Sequence, residues 1–494
     1  MRVENQSQTP ERHCDQKGRR AHLQRFSEET KLLGTLTESL CNHNQRENIS
    51  LHMPGHKGRS DVGGLPSLAT FANDFDVTEL DGLDDLSYPQ GVLKSLEERI
   101  ARLYNVQTSI ISLSGGSGGL LAAILAVAKN GNELLVPRNA HRSVVNALVL
   151  SGLKPRWYEP LWNEQFGFWE SVEARAIEDA LAEGGSVAGV LVVSPTYVGV
   201  TSDVESLAAV AHRYGVPLLV DEAQGAHFLP GTSMPKSACV SGADLVVHSF
   251  HKTLGASTQT GVVHVVSDRF VQAEDVRAGM RLVSTSSPNY VLLASIEQAI
   301  LRHETKEGLD KLASVAQLSD KLRREISDRV VVYSPKNLVD PLHVLIGSPS
   351  LTGDYLDAFL RERGIFCEAV LGAGCLLLLG VGTEPSDIDF LVSALAELPE
   401  TDDNKVMSSK AKPKPLEQII SPREAYFAPF ELVAAADAVG RISADCLAPC
   451  PPGMPVCVPG VRVSADNSIL AGNKYLRVLL ESDGKPIPPM TDRC

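Results

Sequence analysis

A chain of 494 residues is too long for one hydrophobic core, so two or three domains are expected. Its apolar content of 43 % and charged content of 21 % are ordinary for a globular protein. The formal net charge of −14 argues against nucleic acid or an anionic membrane surface as the main partner.

The nine cysteines show neither a disulfide pattern nor a zinc-binding pattern. The nearest approach is Cys446, Cys450 and Cys457, which lack the paired spacing of zinc ligands, so no metal site is predicted. Free thiols fit a reducing compartment, and a cytoplasmic protein is expected. No apolar stretch reaches the roughly 18–20 residues that span a bilayer, and the first residues lack the apolar core of a secretory signal.

The N-terminal half predicts an arm followed by a large α/β domain. Leucines at helical spacing predict a helix over 27–45, within an arm of residues 1–46. Helices are then predicted at 95–106, 120–128 and 203–214, and strands at 109–114, 132–137, 188–195, 217–223, 244–250 and 261–266. Continuous Val/Leu runs are typical of strands buried on both faces. Alternating strands and helices therefore predict a mainly parallel sheet, covered by helices, in a large domain of residues 47–305.

The order of predicted helices and strands changes after about residue 300. Helix, strand and helix at 309–328, 341–347 and 353–363, with an apolar run at 375–382, predict a smaller α+β domain over 306–400. A Lys- and Pro-rich stretch with few large apolar residues predicts a linker at 401–415. The proline-punctuated remainder, 416–494, predicts a small C-terminal domain.

The first candidate site is glycine-rich. In open parallel sheets, ligands bind outside the carboxyl ends of the strands, so polar residues directly after each apolar run are candidates. The first predicted strand is followed by Gly115, Gly116, Ser117, Gly118 and Gly119, and then by a helix. Such a connection is often only a turn. Glycines also let a ligand approach the backbone, and a helix N-terminus offers N–H groups to an anion, so a phosphate site is the functional interpretation.

Further polar residues follow the later strands: His141 and Ser143, then Thr196 and Tyr197, then Asp221, Glu222, Ala223 and His227, and finally His248, Ser249, His251 and Lys252. Asp221 and Lys252 are separated by about one strand–helix–strand unit. A structural ion pair is one explanation for them. The other is pyridoxal phosphate, which needs a lysine for covalent attachment, a carboxylate for its ring nitrogen, an anion cradle and a flat group against the ring.

With these residues in view, the sequence resembles the fold-type I pyridoxal-phosphate enzymes of the ornithine/lysine/arginine decarboxylase group, in the bacterial branch with a C-terminal domain. Ten motifs between about residues 48 and 460 carry the resemblance: LHMPGHKGR (51–59), DVTELDGLDDLSYPQG (76–91), SGGSGG (114–119), RNAHRSVVNAL (138–148), VVSPTYVGVTSD (192–203), VDEAQGAH (220–227), HSFHKTLGASTQTG (248–261), STSSPNY (284–290), SPREAYFA (421–428) and GRISAD...PCPPGMPVCVPG (440–460). Two departures are PCPPG for the usual PYPPG, and SYPQG for a His/Pro-containing version.

The resemblance implies a large domain with a mainly parallel seven-stranded sheet and a pyridoxal 5'-phosphate cofactor. By motif position, Lys252 would carry the cofactor, Asp221 would face its ring nitrogen and His141 would stack on its ring. The phosphate would be held by Ser117, Gly118, Ser249 and His251. Ala223 would pack on the other ring face, and Thr196 would lie near the phenolic oxygen.

The implied reaction is decarboxylation of arginine, lysine or ornithine to the corresponding amine, feeding polyamine synthesis. The expected catalytic residues are Lys252, His251, His141 and Asp221, with Lys252 or His251 protonating Cα. The resemblance also implies a homodimer or larger homo-oligomer with its active site at the interface. Acids that could bind the substrate's cationic end are Asp84, Asp85, Glu424 and Asp445. Transamination or aldol-type cleavage on the same fold, and a catalytically silent regulatory relative, remain as alternatives.

Overall fold

The computed structural model describes residues 49–57, 77–80, 82–326, 329–334, 339–399, 411–465 and 475–480. The helix predicted at 27–45 lies outside these residues, as does most of the predicted linker. The strands are β1 (Ile49–Leu51), β2 (Thr108–Ser112), β3 (Glu133–Pro137), β4 (Lys154–Tyr158), β5 (Trp162–Asn163), β6 (Phe168–Trp169), β7 (Val187–Val193), β8 (Leu218–Asp221), β9 (Leu245–His248), β10 (Gly261–Val265), β11 (Val331–Val332), β12 (His343–Gly347), β13 (Ile365–Cys367), β14 (Ala369–Leu371), β15 (Gly374–Leu378), β16 (Phe430–Ala434) and β17 (Tyr475–Leu479).

The described α-helices are α1 (Val92–Tyr104), α2 (Gly115–Val127), α3 (Arg142–Ser151), α4 (Ala174–Ala182), α5 (Val204–Arg213), α6 (Phe250–Thr253), α7 (Ala273–Val283), α8 (Tyr290–His303), α9 (Lys306–Glu325), α10 (Gly353–Glu362), α11 (Pro385–Ala396) and α12 (Pro422–Phe427). None of the helices in the described part of the chain is long and apolar enough to cross a membrane.

A seven-stranded sheet with the order β2-β10-β9-β8-β7-β3-β4 forms the centre of the large domain. Strands β3, β4, β7, β8 and β9 pair in parallel, and β10 runs antiparallel to both β2 and β9. The predicted mainly parallel seven-stranded sheet is therefore confirmed. The one reversed strand still leaves the carboxyl ends of β2, β3, β7, β8 and β9 at the same edge.

The apolar runs alternate between the two faces of this sheet, as the period of a strand requires. On one face, Val220 and Val246 pack with helices α1, α4, α5 and α8. On the other face, Leu219 and Val247 pack with α2, α3 and α7. Both faces are buried, which explains why these strands are continuously apolar rather than alternating in polarity.

The glycine-rich segment differs from its prediction as a turn, because helix α2 begins at Gly115 and includes all four glycines. Gly115 has a left-handed φ of +64°, which a glycine adopts at low cost. A Cβ on Gly119 would lie 2.9 Å from Val247 and 3.0 Å from Val263. The small residues therefore let the start of α2 pack closely on the sheet.

The following segment builds a second core. The sheet β11-β12-β15-β14 is antiparallel and packs with α9, α10 and α11, in agreement with the predicted α+β texture. Strand β1, from the segment predicted to open the large domain, pairs in parallel with β13 instead. Near the C-terminus, β16 pairs with β17, and an apolar cluster of this region includes Val145 of α3.

A buried His–Asp–His group joins the large domain to this second core. The Asp340 carboxylate lies 2.9 Å from His227 Nε2 and 2.8 Å from His343 Nδ1, and all three side chains are buried. Burial raises the pKa of Asp340, but the two histidines outweigh it, and the net pKa is well below its ordinary value. The ionised carboxylate thus stabilises the folded state above the unfolded pKa of about 4.

We expect Asp340→Asn to lower the free energy of unfolding by about 3 kcal/mol at neutral pH, because it removes the charge that both buried histidines contact. Chemical denaturation at pH 7 measures this loss. Asp354→Asn, at an exposed position of α10, is the control and should change stability by less than about 0.5 kcal/mol. Equal stability of the two variants would contradict a structural role for the group.

Candidate functional site

The carboxyl edge of the sheet collects the polar residues that the sequence singled out. Asp221 closes β8 and pairs in register with Val193 of β7 and Val247 of β9. Lys252 follows β9 on the short helix α6. The parallel register therefore brings residues from three separate chain segments to one place.

Lys252 is largely enclosed, and its environment acts on its charge. Burial lowers the pKa of its ammonium, while the negative charges of Asp221 and Glu368 oppose that shift. The net pKa lies below the ordinary value of a lysine. A lysine in this state loses its proton more readily than one on the surface, as a nucleophilic amine requires.

Asp221 is a buried acid beside this lysine. Its Oδ1 accepts a hydrogen bond from the Ala223 N–H at 3.2 Å. Burial raises its pKa, and the positive charge of Lys252 and the Ala223 hydrogen bond oppose that change. A cationic neighbour therefore stabilises the carboxylate, and the protonated ring nitrogen of a pyridine could serve in the same way.

His141 begins helix α3 and caps it. Its Nδ1 accepts the Ser143 N–H at 3.2 Å and lies 2.8 Å from Ser143 Oγ. Burial, with the nearby charges of Lys252 and Arg142, lowers its pKa to about 4, so the imidazole is neutral at pH 7. Because Nδ1 accepts a backbone N–H, the ring proton is on Nε2. His141 thus offers a flat, neutral and oriented ring.

The C-terminal region covers His141. The Arg142 N–H donates to the Gly453 carbonyl at 2.9 Å. A Cβ on Gly453 would lie 2.9 Å from both Cδ2 and Nε2 of His141, and Gly453 has a φ of +79°. Gly453 belongs to the PCPPG motif, so this motif's glycine is needed for its close approach to the ring.

A small cradle lies at the N-terminus of α2. A Cβ on Gly116 would lie 2.4 Å from Ser249 Oγ, and one on Gly115 would lie 3.7 Å from His251. His251 Nδ1 lies 3.0 Å from the Thr260 carbonyl and donates to it, which leaves Nε2 as its other polar atom. Helix N–H groups, a hydroxyl and an imidazole together suit a phosphate. These residues therefore fit the phosphate of the expected cofactor.

The remaining cofactor candidates lie around this cradle. Thr196 is buried after β7, and its Oγ1 accepts the Val200 N–H at 3.2 Å. Ala223 presents its Cβ 3.6 Å from the position of a Cβ on Gly116. Ser117, in the first turn of α2, is exposed in the single chain.

The sequence analysis missed an acid in this site. Glu368, between β13 and β14, is only 8 % exposed. It accepts the Tyr197 hydroxyl at 2.6 Å and the Met53 N–H at 2.9 Å, and its charge acts on Lys252 and His251. A lone acid within the apolar stretch IFCEAVL (365–371) is the sequence signal that could have drawn attention to it.

Lys57 was also missed, although it belongs to the first quoted motif. Its Nζ donates to the carbonyls of His52 at 2.6 Å and Leu378 at 2.8 Å. Burial lowers its pKa to about 7, against the charges of Glu368 and Asp387. Together these bonds join the segment that follows β1 to strand β15, next to Glu368.

The four acids proposed for the substrate have other contacts in the single chain. Asp84 Oδ2 accepts the N–H groups of Gly91 at 2.6 Å, Gln90 at 3.0 Å and Leu93 at 3.2 Å, and so caps α1. Asp85 Oδ1 accepts the Ser87 N–H at 2.8 Å. Glu424 accepts the Ser421 N–H at 2.9 Å in a capping box, and Asp445 lies 3.6 Å from Arg477. The carboxylates that act most strongly on Lys252 are instead Asp221 and Glu368.

We expect Asp84→Ala to lower the free energy of unfolding by about 1–2 kcal/mol, since it removes the cap of α1. The KM for a basic amino acid should be unchanged. Asp85→Ala, which removes one exposed backbone contact, is the matched control and should cost less than about 0.5 kcal/mol. A raised KM with unaltered stability would instead place Asp84 at the substrate.

Comparison with known proteins gives a consistent result. The sequence matches the family Orn/Lys/Arg decarboxylase, major domain, over residues 34–346, and Orn/Lys/Arg decarboxylase, C-terminal domain, over residues 405–488. Arginine decarboxylase of Bacillus anthracis is 32 % identical over 472 residues, covering 92 % of this chain and 94 % of that protein. Arginine decarboxylase of Bacillus subtilis is 29 % identical over 452 residues, covering 87 % of this chain and 91 % of that protein.

Solved structures agree on the fold. A lysine decarboxylase from Francisella novicida superposes with a TM-score of 0.70 at 18 % identity, covering 95 % of this chain and 84 % of that one. The constitutive lysine decarboxylase of Escherichia coli gives 0.68 at 20 % identity, covering 92 % and 80 %. The resemblance and the fold class inferred from the sequence are thereby confirmed. The chain belongs to the Orn/Lys/Arg decarboxylase family and is a pyridoxal-phosphate-dependent carboxy-lyase.

Proposed function

We propose that this chain decarboxylates arginine, releasing carbon dioxide and agmatine, as a cytoplasmic homodimer that supplies polyamine synthesis. The observation that carries the proposal is the convergence of Lys252, Asp221 and His141 with the α2 cradle at one sheet edge. Arginine is preferred over lysine and ornithine because four relatives at 29–32 % identity are arginine decarboxylases, whereas the lysine decarboxylases among the relatives are only 21–24 % identical.

The residues at the sheet edge divide the work of holding the cofactor. Lys252 would bind it covalently, Asp221 would face its ring nitrogen, and His141 and Ala223 would lie on its two ring faces. Ser117, Gly118, Ser249 and His251 would hold its phosphate, and Thr196 its phenolic oxygen. When bound, pyridoxal phosphate accepts the electrons of the bond that breaks between Cα and the carboxylate.

The protein's own contribution is charge and orientation. Asp221 keeps a positive charge favourable at the ring nitrogen, in a site where water does not screen it. The neutral His141 adds contact area without adding a competing positive charge. Holding the carboxylate bond perpendicular to the ring plane is then a matter of binding geometry.

One proton must be delivered to Cα after carbon dioxide leaves. Lys252 Nζ is suited to hold and give it, since its lowered pKa brings the two protonation states closer in free energy near neutral pH. His251 Nε2 is the second candidate, because its Nδ1–H is already committed to the Thr260 carbonyl. In the overall reaction, the bond between Cα and the carboxylate is broken and one proton is added to Cα, so no oxidant or reductant is needed.

Glu368 is the acid we propose for the cationic end of the substrate. It is buried near Lys252, and its two oxygens accept one bond each, from Tyr197 and Met53. Each carboxylate oxygen has a further lone pair, which a guanidinium with two parallel N–H groups could use. The Nζ of the neighbouring Lys57 donates to two main-chain carbonyls, those of His52 and Leu378.

Exposed apolar side chains support a dimer. Leu80, Tyr88 and Val92 are 56 %, 58 % and 51 % exposed, and Leu282 is 77 % exposed. Three of these lie in or directly after the motif at 76–91. Large apolar side chains that are exposed on a single chain can be buried in a subunit interface, and the proposed dimer would bury these four.

The proposal is tested first by product analysis. We expect arginine to be decarboxylated with a kcat/KM at least about 10-fold above lysine or ornithine, because a carboxylate pairs bidentately with a guanidinium. Lys252→Ala should lower carbon dioxide release by more than about 100-fold, while Lys236→Ala, at an exposed ion pair, should not. Release of keto acid instead of carbon dioxide, or an active Lys252→Ala variant, would refute the proposal.

The role of Glu368 has a separate test. Glu368→Gln keeps the shape of the side chain but removes its charge, so the KM for arginine should rise about 10- to 100-fold. Citrulline, whose side chain is neutral, should inhibit the variant and the parent enzyme with the same inhibition constant. Asp445→Asn is the control and should change neither the KM for arginine nor the inhibition constant of citrulline. An equal loss of both ligands would show that Glu368 only supports the site.

A further inference from the structure

Two cysteines and an aspartate converge away from the cofactor residues, and the decarboxylase reaction uses none of them. Asp357 lies on α10, Cys367 ends β13 and Cys375 lies on β15. One carboxylate oxygen and the two sulfurs all lie within 4.8 Å of one another. We refer to these residues as the Asp357 cluster.

The donor atoms of the Asp357 cluster are incompletely used. Asp357 Oδ1 is buried and has no hydrogen-bond partner among the described residues, whereas Oδ2 accepts Arg361 Nε at 2.5 Å. Cys375 Sγ donates to the Gly353 carbonyl at 3.3 Å. A hydrogen bond with Cys367, with burial, raises the pKa of Cys375, so the Cys375 sulfur is a thiol when nothing else is bound. A buried acceptor without a donor costs stability unless something binds there.

We propose that the Asp357 cluster binds one zinc ion. Zinc prefers sulfur and carboxylate ligands, at about 2.3 Å and 2.0–2.2 Å, in tetrahedral geometry. Tetrahedral bonds of these lengths place ligand atoms about 3.3–3.8 Å apart, so from separations of up to 4.8 Å the three side chains would draw together by at most about 1.5 Å. The fourth ligand that we propose is the Gly353 carbonyl, which accepts the Cys375 thiol at 3.3 Å.

The charges of the zinc-bound site sum to zero when Arg361 is included. Zinc displaces one proton from each thiol, so two thiolates and one carboxylate contribute −3 and the ion +2. The remaining negative charge is balanced by the Arg361 guanidinium, which already pairs with Asp357. Metal binding involves no change of oxidation state, and it releases two protons to solvent.

A second group of side chains that could bind a metal is formed by Cys239, His248 and His264. The imidazole nitrogens of this group are already used in hydrogen bonds. His248 and His264 hydrogen-bond each other at 2.9 Å, through Nδ1 and Nε2. Their other nitrogens lie 2.7 Å from Glu222 Oε2 and 2.8 Å from Ser109 Oγ. Every imidazole nitrogen there has a partner, so the Asp357 cluster is the better site.

Zinc at this position would tie helix α10 to strands β13 and β15. Cys367 directly precedes Glu368, the acid beside Lys252. The ion would therefore fix the end of the strand that presents Glu368, while remaining a structural site without contact to the substrate.

Cobalt provides a direct test on the full-length protein, because Co²⁺ replaces zinc and is coloured. After chelator treatment in reducing buffer, addition of Co²⁺ should produce a thiolate-to-cobalt charge-transfer band and tetrahedral visible bands, at one ion per chain. Zinc should then bleach these bands. Zinc affinity should rise by up to about 100-fold per pH unit, since two protons are released.

Variants test whether the cobalt band comes from the Asp357 cluster. Cys375→Ser should remove the charge-transfer band, and Asp357→Asn should weaken zinc binding by at least about 10-fold while keeping both thiols. Cys457→Ser, at a buried cysteine of the C-terminal region, is the matched control and should bind normally. Circular dichroism establishes that each variant is folded. Lack of any cobalt band, or a band that persists in Cys375→Ser and is unaltered in Asp357→Asn, would overturn the proposal.

Discussion

The placement of one enclosed lysine is the constraint on which the rest of the site depends. Removing the Lys252 ammonium from water is costly, and the charges of Asp221 and Glu368 offset that cost only in part. The balance leaves a lysine whose neutral form is accessible. The parallel register of β8 and β9 supplies Asp221, and the packing of the smaller domain supplies Glu368, so both domains contribute to the state of this side chain.

The same arrangement explains why His141 has a fixed orientation. Its Nδ1 caps α3, which lies on one face of the sheet, and Gly453 approaches the other nitrogen from the C-terminal region. That region in turn packs on Val145, one turn along α3. The C-terminal region therefore contacts the cofactor side of the molecule at helix α3, and a side chain at Gly453 would displace the imidazole.

Several features follow from the sequence because they depend on local chemistry. Continuous Val/Leu runs predicted the doubly covered sheet, and the polar residues after each run predicted the edge where Lys252 and Asp221 lie. Other assignments depended on partners distant in the chain. The glycine segment looked like a turn, yet packing against Val247 and Val263 lets it begin α2. Asp84 is predicted as a substrate acid, a prediction that stays open, and its role as the cap of the following helix was not foreseen.

The sequence by itself determined the family, the layered α/β fold and the residue types at the strand ends, because periodicity and motif order are properties of neighbouring residues. Only the tertiary structure decided that Glu368 lies beside Lys252, that Lys57 connects two distant segments, and that Cys367 and Cys375 meet Asp357. These contacts join residues from separate elements, and Lys57 and Leu378 are 321 positions apart. Their approach is fixed by tertiary packing within and between domains, which no local pattern encodes.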